Sequence, residues 1–191
     1  ASRADMKCAR PERVQARLRQ AAALKETFYG MLAASALGIK APEFAGLHNF
    51  HDAEWRKIAR EPNVRAAIGL VEIGEAGLAE QFIKHQARLG GREDHAALLH
   101  LAADLNLAST QYWLAHNAPR GTHVNIAARY PTPDWRPSRG WRVDQSLAYA
   151  HALQESSFRT AVVSPAGARG LMQVRPGTAG DIARARGEPF S

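Results

Sequence analysis

Apolar residues recur every three or four positions from residue 11 to about residue 118, and this spacing predicts one helix after another. Glycine or proline interrupts the pattern at Gly38, Pro62, Gly74 and Gly90-Gly91. Alternation of apolar and polar residues is almost absent, so strands are not expected. The apolar stripes are Val14 and Leu18; Leu24, Phe28, Met31 and Leu32; Phe44, Phe50, Trp55 and Ile58; Val64, Ala67, Ile68 and Val71; Leu78, Phe82 and Ile83; Leu98, Leu101, Ala102 and Leu105; and Tyr112, Trp113 and Leu114.

These stripes predict an all-α fold, because short helices in series stack as antiparallel neighbours. No repeat of fixed length is visible, so we expect an irregular α-superhelical array. Pro11 suits the first turn of its helix, and Asn63 is predicted to cap the helix that follows Pro62.

Residues 119–141 differ from the helical part in their proline and tryptophan content. Four of the ten prolines lie between Pro119 and Pro137, with Trp135 and Trp141 nearby. Exposed aromatic side chains are uncommon, so we expect an ordered connector. Its aromatic residues either border a sugar groove or pin the connector to the core, and the second interpretation is the better supported by composition.

Glu155 stands at the end of a helix that is predicted to begin after the N-cap Asp144. Its nearest helical neighbours are Ala148, His151 and Ala152, two of which are small and apolar. Their apolar character and the negative end of the helix dipole favour an uncharged carboxyl group. A glycine-rich turn follows, and the next acidic residue is Asp181. A single acid among apolar and amide groups suits cleavage of a sugar bond by one acid/base residue, whereas most glycosidases use two carboxylates.

Three sequence pieces surround this acid in order: Glu155-Ser156, then Ser164-Pro165-Ala166-Gly167-Ala168-Arg169-Gly170-Leu171-Met172-Gln173, then Pro176-Gly177-Thr178-Ala179. The pattern resembles the catalytic segment of the soluble lytic murein transglycosylases, whose catalytic domain is similar to goose lysozyme. The stretch from Phe28 to Gly38 resembles the superhelical region of that family, and Tyr130-Pro131-x-Pro133-x-Trp135 resembles its approach to the catalytic domain.

The resemblance implies a peptidoglycan lytic transglycosylase. Glu155 would first act as acid and then as base on the C6 hydroxyl of the muramyl residue, which closes a 1,6-anhydro ring without consuming water. Ser164 and Gln173 would hydrogen-bond the substrate or Glu155, and Met172 would line a sugar subsite. Ser156 would orient the local backbone as part of the substrate-binding set.

The resemblance also divides the chain into three parts. Residues 1–118 would form the α-superhelical domain, residues 119–141 the proline-rich connector, and residues 142–191 the N-terminal part of a lysozyme-like catalytic domain. The family pattern continues with an Ala-Tyr-Asn motif that this sequence does not contain after Glu155. We therefore expect the catalytic domain to be incomplete at Ser191, and the 191 residues alone to be inactive.

The charge of the chain favours an anionic partner, because its formal net charge is +7 and its pI about 10.1. The basic residues are scattered without a dense run, which disfavours nucleic acid and favours peptidoglycan glycan strands with their peptide carboxylates. An association with membrane-associated cell-wall machinery is left open. The resemblance places the protein in the periplasm, with its signal peptide outside this sequence.

No cofactor or metal is expected from the sequence. The histidines form only isolated pairs, without a His-Glu-x-x-His motif, and nucleotide-binding glycine motifs are absent. Cys8 is the only cysteine, so no internal disulfide can form.

Two other functions are compatible with the sequence. A lysozyme-like hydrolase would share the acid and use water instead of the C6 hydroxyl. A non-catalytic helical scaffold that binds the cell wall would carry a degenerate catalytic domain. The missing Ala-Tyr-Asn motif favours this scaffold, whereas the presence of Glu155 disfavours it.

Overall fold

The computed structural model describes residues 11–25, 27–40, 47 and 52–189, which fall into two compact units, Ala1–Ala45 and Gly46–Ser191. These residues form nine α-helices and one 3-10 helix, and their β pairing is limited to two isolated bridges. The all-α prediction is therefore confirmed. Four residues named in the sequence analysis lie outside the described residues: Cys8, Phe44, Phe50 and Ser191.

The first unit contains α1 (Pro11–Ala22) and α2 (Phe28–Ala36). The Thr27 hydroxyl caps α2 by accepting a hydrogen bond from Gly30 N at 2.9 Å. A Cβ atom on Gly30 would lie 1.9 Å from the carbonyl oxygen of Leu24, so only glycine permits this close approach of the two segments.

One predicted apolar stripe in this unit is wrong. The stripe assumed a single helical face, but the chain leaves the helix after Ala22 and begins a new helix at Phe28. Residues on either side of the break therefore do not share a face. All four members are exposed: Leu24 by 62%, Phe28 by 65%, Met31 by 53% and Leu32 by 52%.

The second unit begins with five helices in close succession: α3 (Asp52–Ile58), α4 (Pro62–Glu72), α5 (Ala76–Leu89), α6 (Arg92–Asp104) and α7 (Ala108–His116). Two or three residues join each to the next. From α4 to α7 consecutive helices pack against each other, whereas α3 packs against α6. Their apolar faces form one core, in which Ile58, Val64, Ile83, Leu98 and Leu114 are fully buried. The predicted stripes from Val64 onward therefore form this core, with three exceptions. Leu78 and Phe82 are exposed, and Tyr112 packs against a second cluster of buried residues.

The predicted capping role of Asn63 is wrong. The helix already begins at Pro62, because proline has no N–H to leave unsatisfied in a first turn. Asn63 Nδ2 instead donates to Gln86 Oε1 at 2.8 Å, and Gln86 Nε2 donates to Glu61 Oε2 at 3.0 Å. This polar network joins the start of α4 to buried Gln86 of α5.

The rest of the unit holds a 3-10 helix (Ile126–Arg129), α8 (Gln145–Ser156) and α9 (Pro176–Arg186). A second, smaller core joins Ala108 of α7 to Tyr149 and Ala152 of α8 and to Phe158. Leu107 and Leu114 belong to the larger core, so α7 connects the two cores. Within the described ranges, no helix has the length and apolar character needed to cross a membrane.

Beside the larger core, α6 buries the ionisable side chain of His95, which is 2% exposed. Its Nε2 atom lies 3.0 Å from the carbonyl oxygen of Leu114, to which the neutral ring donates. Burial lowers the pKa of His95 below its usual 6.5, and the hydrogen bond to Leu114 opposes this only in part.

We predict that His95 makes stability depend on pH. The unfolded chain binds the proton more readily than the folded chain, so the contribution of His95 is complete above pH 6.5 and is lost as the pH falls below it. Thermal unfolding measured from about pH 7.5 to about pH 5 should show a fall in Tm that is smaller in His95→Gln. Equal slopes in the two proteins would contradict this.

Candidate active site at the end of helix α8

Helix α8 begins as the sequence predicts. The Asp144 side chain accepts hydrogen bonds from Ser146 N at 2.8 Å and Leu147 N at 3.3 Å, which confirms it as the N-cap. The helix buries Ala148, Tyr149 and Ala152 on one side. Glu155 is the last residue but one of the helix.

A tight turn ends α8 directly after Glu155. Ser157 and Phe158 both adopt left-handed backbone conformations, with φ of 51° and 63°. Their N–H groups donate to the carbonyl oxygens of Leu153, at 3.0 Å, and Ala152, at 3.1 Å. These hydrogen bonds satisfy the last carbonyl groups of the helix. The turn also places the Phe158 side chain in the smaller core, where it is 3% exposed.

The connector is attached to α8 by aromatic contacts. The ring of Trp135 lies 5.8 Å from that of Tyr149 and 5.8 Å from that of Phe158. Trp141 contacts Tyr149 edge-to-face at 5.6 Å. The Tyr149 hydroxyl donates to the carbonyl oxygen of Pro133. These contacts support the interpretation that the connector aromatics pin it to the core.

Glu155 itself is exposed, as are its neighbours His151 and Gln154. No other described residue forms a hydrogen bond or an ion pair with its carboxylate. The side chain is therefore available to a ligand. The shielding from water expected from the helical neighbours is not provided in the described part of the chain.

The glycine-rich stretch after α8 folds into a small ladder of three short segments. The Ser164 and Ala168 backbones pair at 2.9 Å, and Gly170 N donates to Val162 O at 2.9 Å. Arg169 exchanges two backbone hydrogen bonds with Val174, at 3.1 and 3.2 Å. The two isolated bridges of the described residues thus both involve Arg169, one with Val163 and one with Val174.

Two predicted binding residues hold this ladder together. Ser164 Oγ accepts a hydrogen bond from Ala168 N at 3.0 Å across the turn that contains Gly167. Gln173 Nε2 donates to Gly170 O at 2.9 Å and to Val162 O at 3.3 Å. Within the described residues neither side chain hydrogen-bonds Glu155. Both are partly exposed.

The other two predicted binding residues lie in contrasting surroundings. Met172 is 43% exposed, as a subsite residue requires. Ser156 is 1% exposed, and its hydroxyl donates to the Ala152 carbonyl oxygen at 3.0 Å inside the helix. Ser156 therefore suits the role of orienting the backbone beside Glu155. Direct contact with a sugar would require the Ser156 hydroxyl to break its hydrogen bond to the Ala152 carbonyl oxygen.

A groove runs along one side of α8, and Glu155 is not among the residues that line it. It has a volume of about 340 Å³. It could not be predicted from the sequence, because the spacing of Ser146, Tyr149, Leu153 and Gln154 does not distinguish a groove from a packed face. The lining residues are Tyr130, Pro131, Thr132, Ser146, Tyr149, Ala150, Leu153, Gln154 and Phe158.

Residues 136–189 match the family model described as the transglycosylase SLT domain. This segment contains α8, the ladder and α9. The match confirms, for this segment, the resemblance of the sequence to the lytic murein transglycosylases.

One protein of known sequence and two solved structures are also similar to this chain. A 44-residue stretch is 54% identical to the soluble lytic murein transglycosylase of Salmonella typhimurium, covering 23% of this chain and 7% of that protein. The whole chain superimposes on the 70-kDa soluble lytic transglycosylase of Escherichia coli, with a TM-score of 0.74, 22% identity and coverage of 31% of that structure. It also superimposes on an inactive mutant of the lytic transglycosylase Slt of Pseudomonas aeruginosa, with a TM-score of 0.71, 24% identity and coverage of 33% of that structure.

The chain thus spans about a third or less of the length of these relatives. The structural likeness confirms the predicted fold class, a superhelical α-array followed by a lysozyme-like segment.

We predict that the hydroxyl of Tyr149 stabilises the junction between connector and α8. Tyr149→Phe keeps the ring in the aromatic cluster but leaves the Pro133 carbonyl group without its buried donor, so unfolding should become easier by about 1–2 kcal/mol. Chemical denaturation measures this. Tyr130→Phe is the matched control, because Tyr130 is 46% exposed and should change stability little. Equal effects of the two substitutions would contradict the prediction.

Proposed function

We propose that the protein is a lytic transglycosylase that cleaves the β-1,4 bond between N-acetylmuramic acid and N-acetylglucosamine in peptidoglycan. The observation that carries this proposal is the position of Glu155. It lies exposed at the end of α8, where a tight left-handed turn follows it, and inside a segment that matches the transglycosylase SLT domain. The candidate acid thus lies within the helix and ladder that match this domain.

In the proposed reaction the protonated Glu155 donates its proton to the glycosidic oxygen, and the bond from C1 to that oxygen breaks. The resulting carboxylate then takes the proton of the C6 hydroxyl, whose oxygen forms a bond to C1. The product is a 1,6-anhydro-muramyl end, Glu155 recovers its proton, and water is not consumed. The C6 hydroxyl needs no second carboxylate to position it, because it is held at high effective concentration near C1.

An acid in this role has to keep its proton until the sugar arrives. Glu155 is exposed in the described structure, so we propose that the bound glycan strand and any further covering segment exclude water from it. Removal of water favours the neutral form of a carboxyl group. Substrate binding would then prepare the acid for catalysis.

The other predicted site residues take supporting roles in this proposal. Met172 lines a sugar subsite, and Ser164 and Gln173 hold the ladder while presenting their remaining polar atoms to the substrate. Ser156 fixes the backbone next to Glu155 through its bond to Ala152.

The three-part organisation of the chain belongs to the same proposal: an α-superhelical domain (1–118), a connector (119–141) and the first part of a catalytic domain (142–191). A peptidoglycan substrate also implies that the protein works in the periplasm. The inactive Pseudomonas aeruginosa mutant carries a glutamine in place of a glutamate, the exchange we propose to test here.

We predict that Glu155→Gln abolishes cell-wall cleavage by the full-length protein without unfolding it. The amide keeps the shape of the carboxyl group but has no proton to transfer, which costs roughly a hundredfold or more in rate. Release of soluble fragments from purified peptidoglycan is the measurement. Glu72→Gln is the matched control, since Glu72 is also an exposed carboxylate at the end of a helix, α4. If Glu155→Gln kept more than about a tenth of the turnover, another residue would be the acid.

We further predict that the products end in 1,6-anhydro-muramic acid and lack a reducing end. Mass spectrometry of digested peptidoglycan detects this, because the anhydro product is lighter by one water molecule than the product of hydrolysis. Products that carry mainly reducing ends would instead identify a lysozyme-like hydrolase, which uses the same acid with water.

A further inference from the structure

The ladder after α8 presents a row of three side chains, Val163, Arg169 and Val174. Residues directly opposite each other in paired strands project from the same face. Arg169 is opposite Val163 in one bridge and opposite Val174 in the other, so the arginine stands between the two valines. Val163 is 57% exposed, Val174 is 38% exposed, and Arg169 is also exposed. The ladder thus displays a cation between two apolar groups.

The backbone beneath this row is held firmly. Backbone hydrogen bonds join Arg169 to Val174, while the side chains of Ser164 and Gln173 brace the two turns that flank Arg169. Gly170, at φ 71°, supplies the left-handed conformation that its turn requires. A guanidinium group that extends from such a support loses less freedom on binding than one on a flexible loop.

The charge of Arg169 is not balanced by a neighbouring acid. Residues 136–189 contain eight arginines and no lysine, against four acidic residues. Two of those acids pair with other arginines, Glu188 with Arg139 and Asp181 with Arg184. No ion pair joins Arg169 to any residue that the structure describes.

We propose that the row of Val163, Arg169 and Val174 binds a carboxylate-bearing stem peptide of the peptidoglycan strand. The planar guanidinium group can donate two parallel hydrogen bonds to a carboxylate, and the valines suit the methyl groups of alanine. Peptidoglycan stems carry both kinds of group on the same sugar chain that the active site would hold. This inference rests on the proposed function and extends it, because it assigns recognition of the peptide to a residue that lies outside the acid and sugar-binding set.

The test is a binding measurement in a Glu155→Gln background, so that bound glycan is not cleaved. Isothermal titration of the full-length protein compares two soluble glycan fragments of equal length, one with its stem peptides and one from which an amidase has removed them. The variants are Arg169→Gln and Arg169→Lys. Arg186→Gln is the matched control, because it removes one exposed arginine from the end of α9.

We expect Arg169→Gln to weaken binding of the peptide-bearing fragment about three- to tenfold at low salt, the range for an exposed, charge-assisted pair. Arg169→Lys should lose less, because it keeps the charge without the planar donors. Binding of the peptide-free fragment should not change, and Arg186→Gln should change neither. The difference between the two fragments should shrink as salt screens the pair.

Equal binding of the peptide-bearing fragment by Arg169→Gln and its parent would overturn the inference, and so would an equal loss on both fragments. Failure of the proposed function would give a different result: the parent would bind neither fragment, and the wild-type protein would release nothing from peptidoglycan. That result would overturn both proposals. Binding that depends on Arg169 without cleavage by the wild-type protein would leave the peptide-binding role standing and remove only the catalytic one.

Discussion

The site depends on the turn that ends α8. Ser157 and Phe158 both lie in the left-handed region, which costs roughly 1–2 kcal/mol for each residue that is not glycine. Two backbone hydrogen bonds and the burial of the Phe158 ring offset this cost, and burial of such a ring contributes about 2 kcal/mol. Because the ring is fixed under Trp135, the last turn of α8 cannot unwind without opening the smaller core. The backbone at Glu155 is thereby held in place.

The same turn determines where the chain goes next. From buried Phe158 the chain continues over a few residues to Val162, whose carbonyl oxygen accepts hydrogen bonds from Gly170 N and from Gln173 Nε2. The ladder is therefore connected to α8 by a short segment that is anchored at both ends. On the other side, α7 links the smaller core to the large core of the upstream helices. Packing of the helices thus fixes the end of α8 that carries Glu155. The turn after Glu155 in turn fixes the start of the ladder.

Features that depend on local chemistry could be predicted from the sequence. The Asp144 cap, the helices after Val64 and the all-α class followed from spacing and from residue preferences. The break between Leu24 and Phe28 could not be predicted, because the apolar stripe continues across it while the backbone does not. Asn63 was misassigned for a similar reason, since Pro62 takes the first helical position and leaves the asparagine to a partner far along the chain.

The candidate site was predicted in its parts but not in its arrangement. The three sequence pieces identified Glu155, Ser164, Met172 and Gln173 as candidates, and their roles stay predictions. The left-handed turn that ends α8 could not be predicted from the sequence, since neither Ser157 nor Phe158 is glycine. The row around Arg169 depends on pairing within a ladder too short and irregular to show any alternating pattern.

The central claim is that Glu155 is the acid that meets the glycosidic bond. The most direct measurement is a crystal structure of the full-length Glu155→Gln protein with a bound muropeptide strand. The account predicts that the side-chain amide of residue 155 lies within hydrogen-bond distance, about 3 Å, of the glycosidic oxygen. A strand bound elsewhere, with its glycosidic oxygens out of reach of residue 155, would contradict the account.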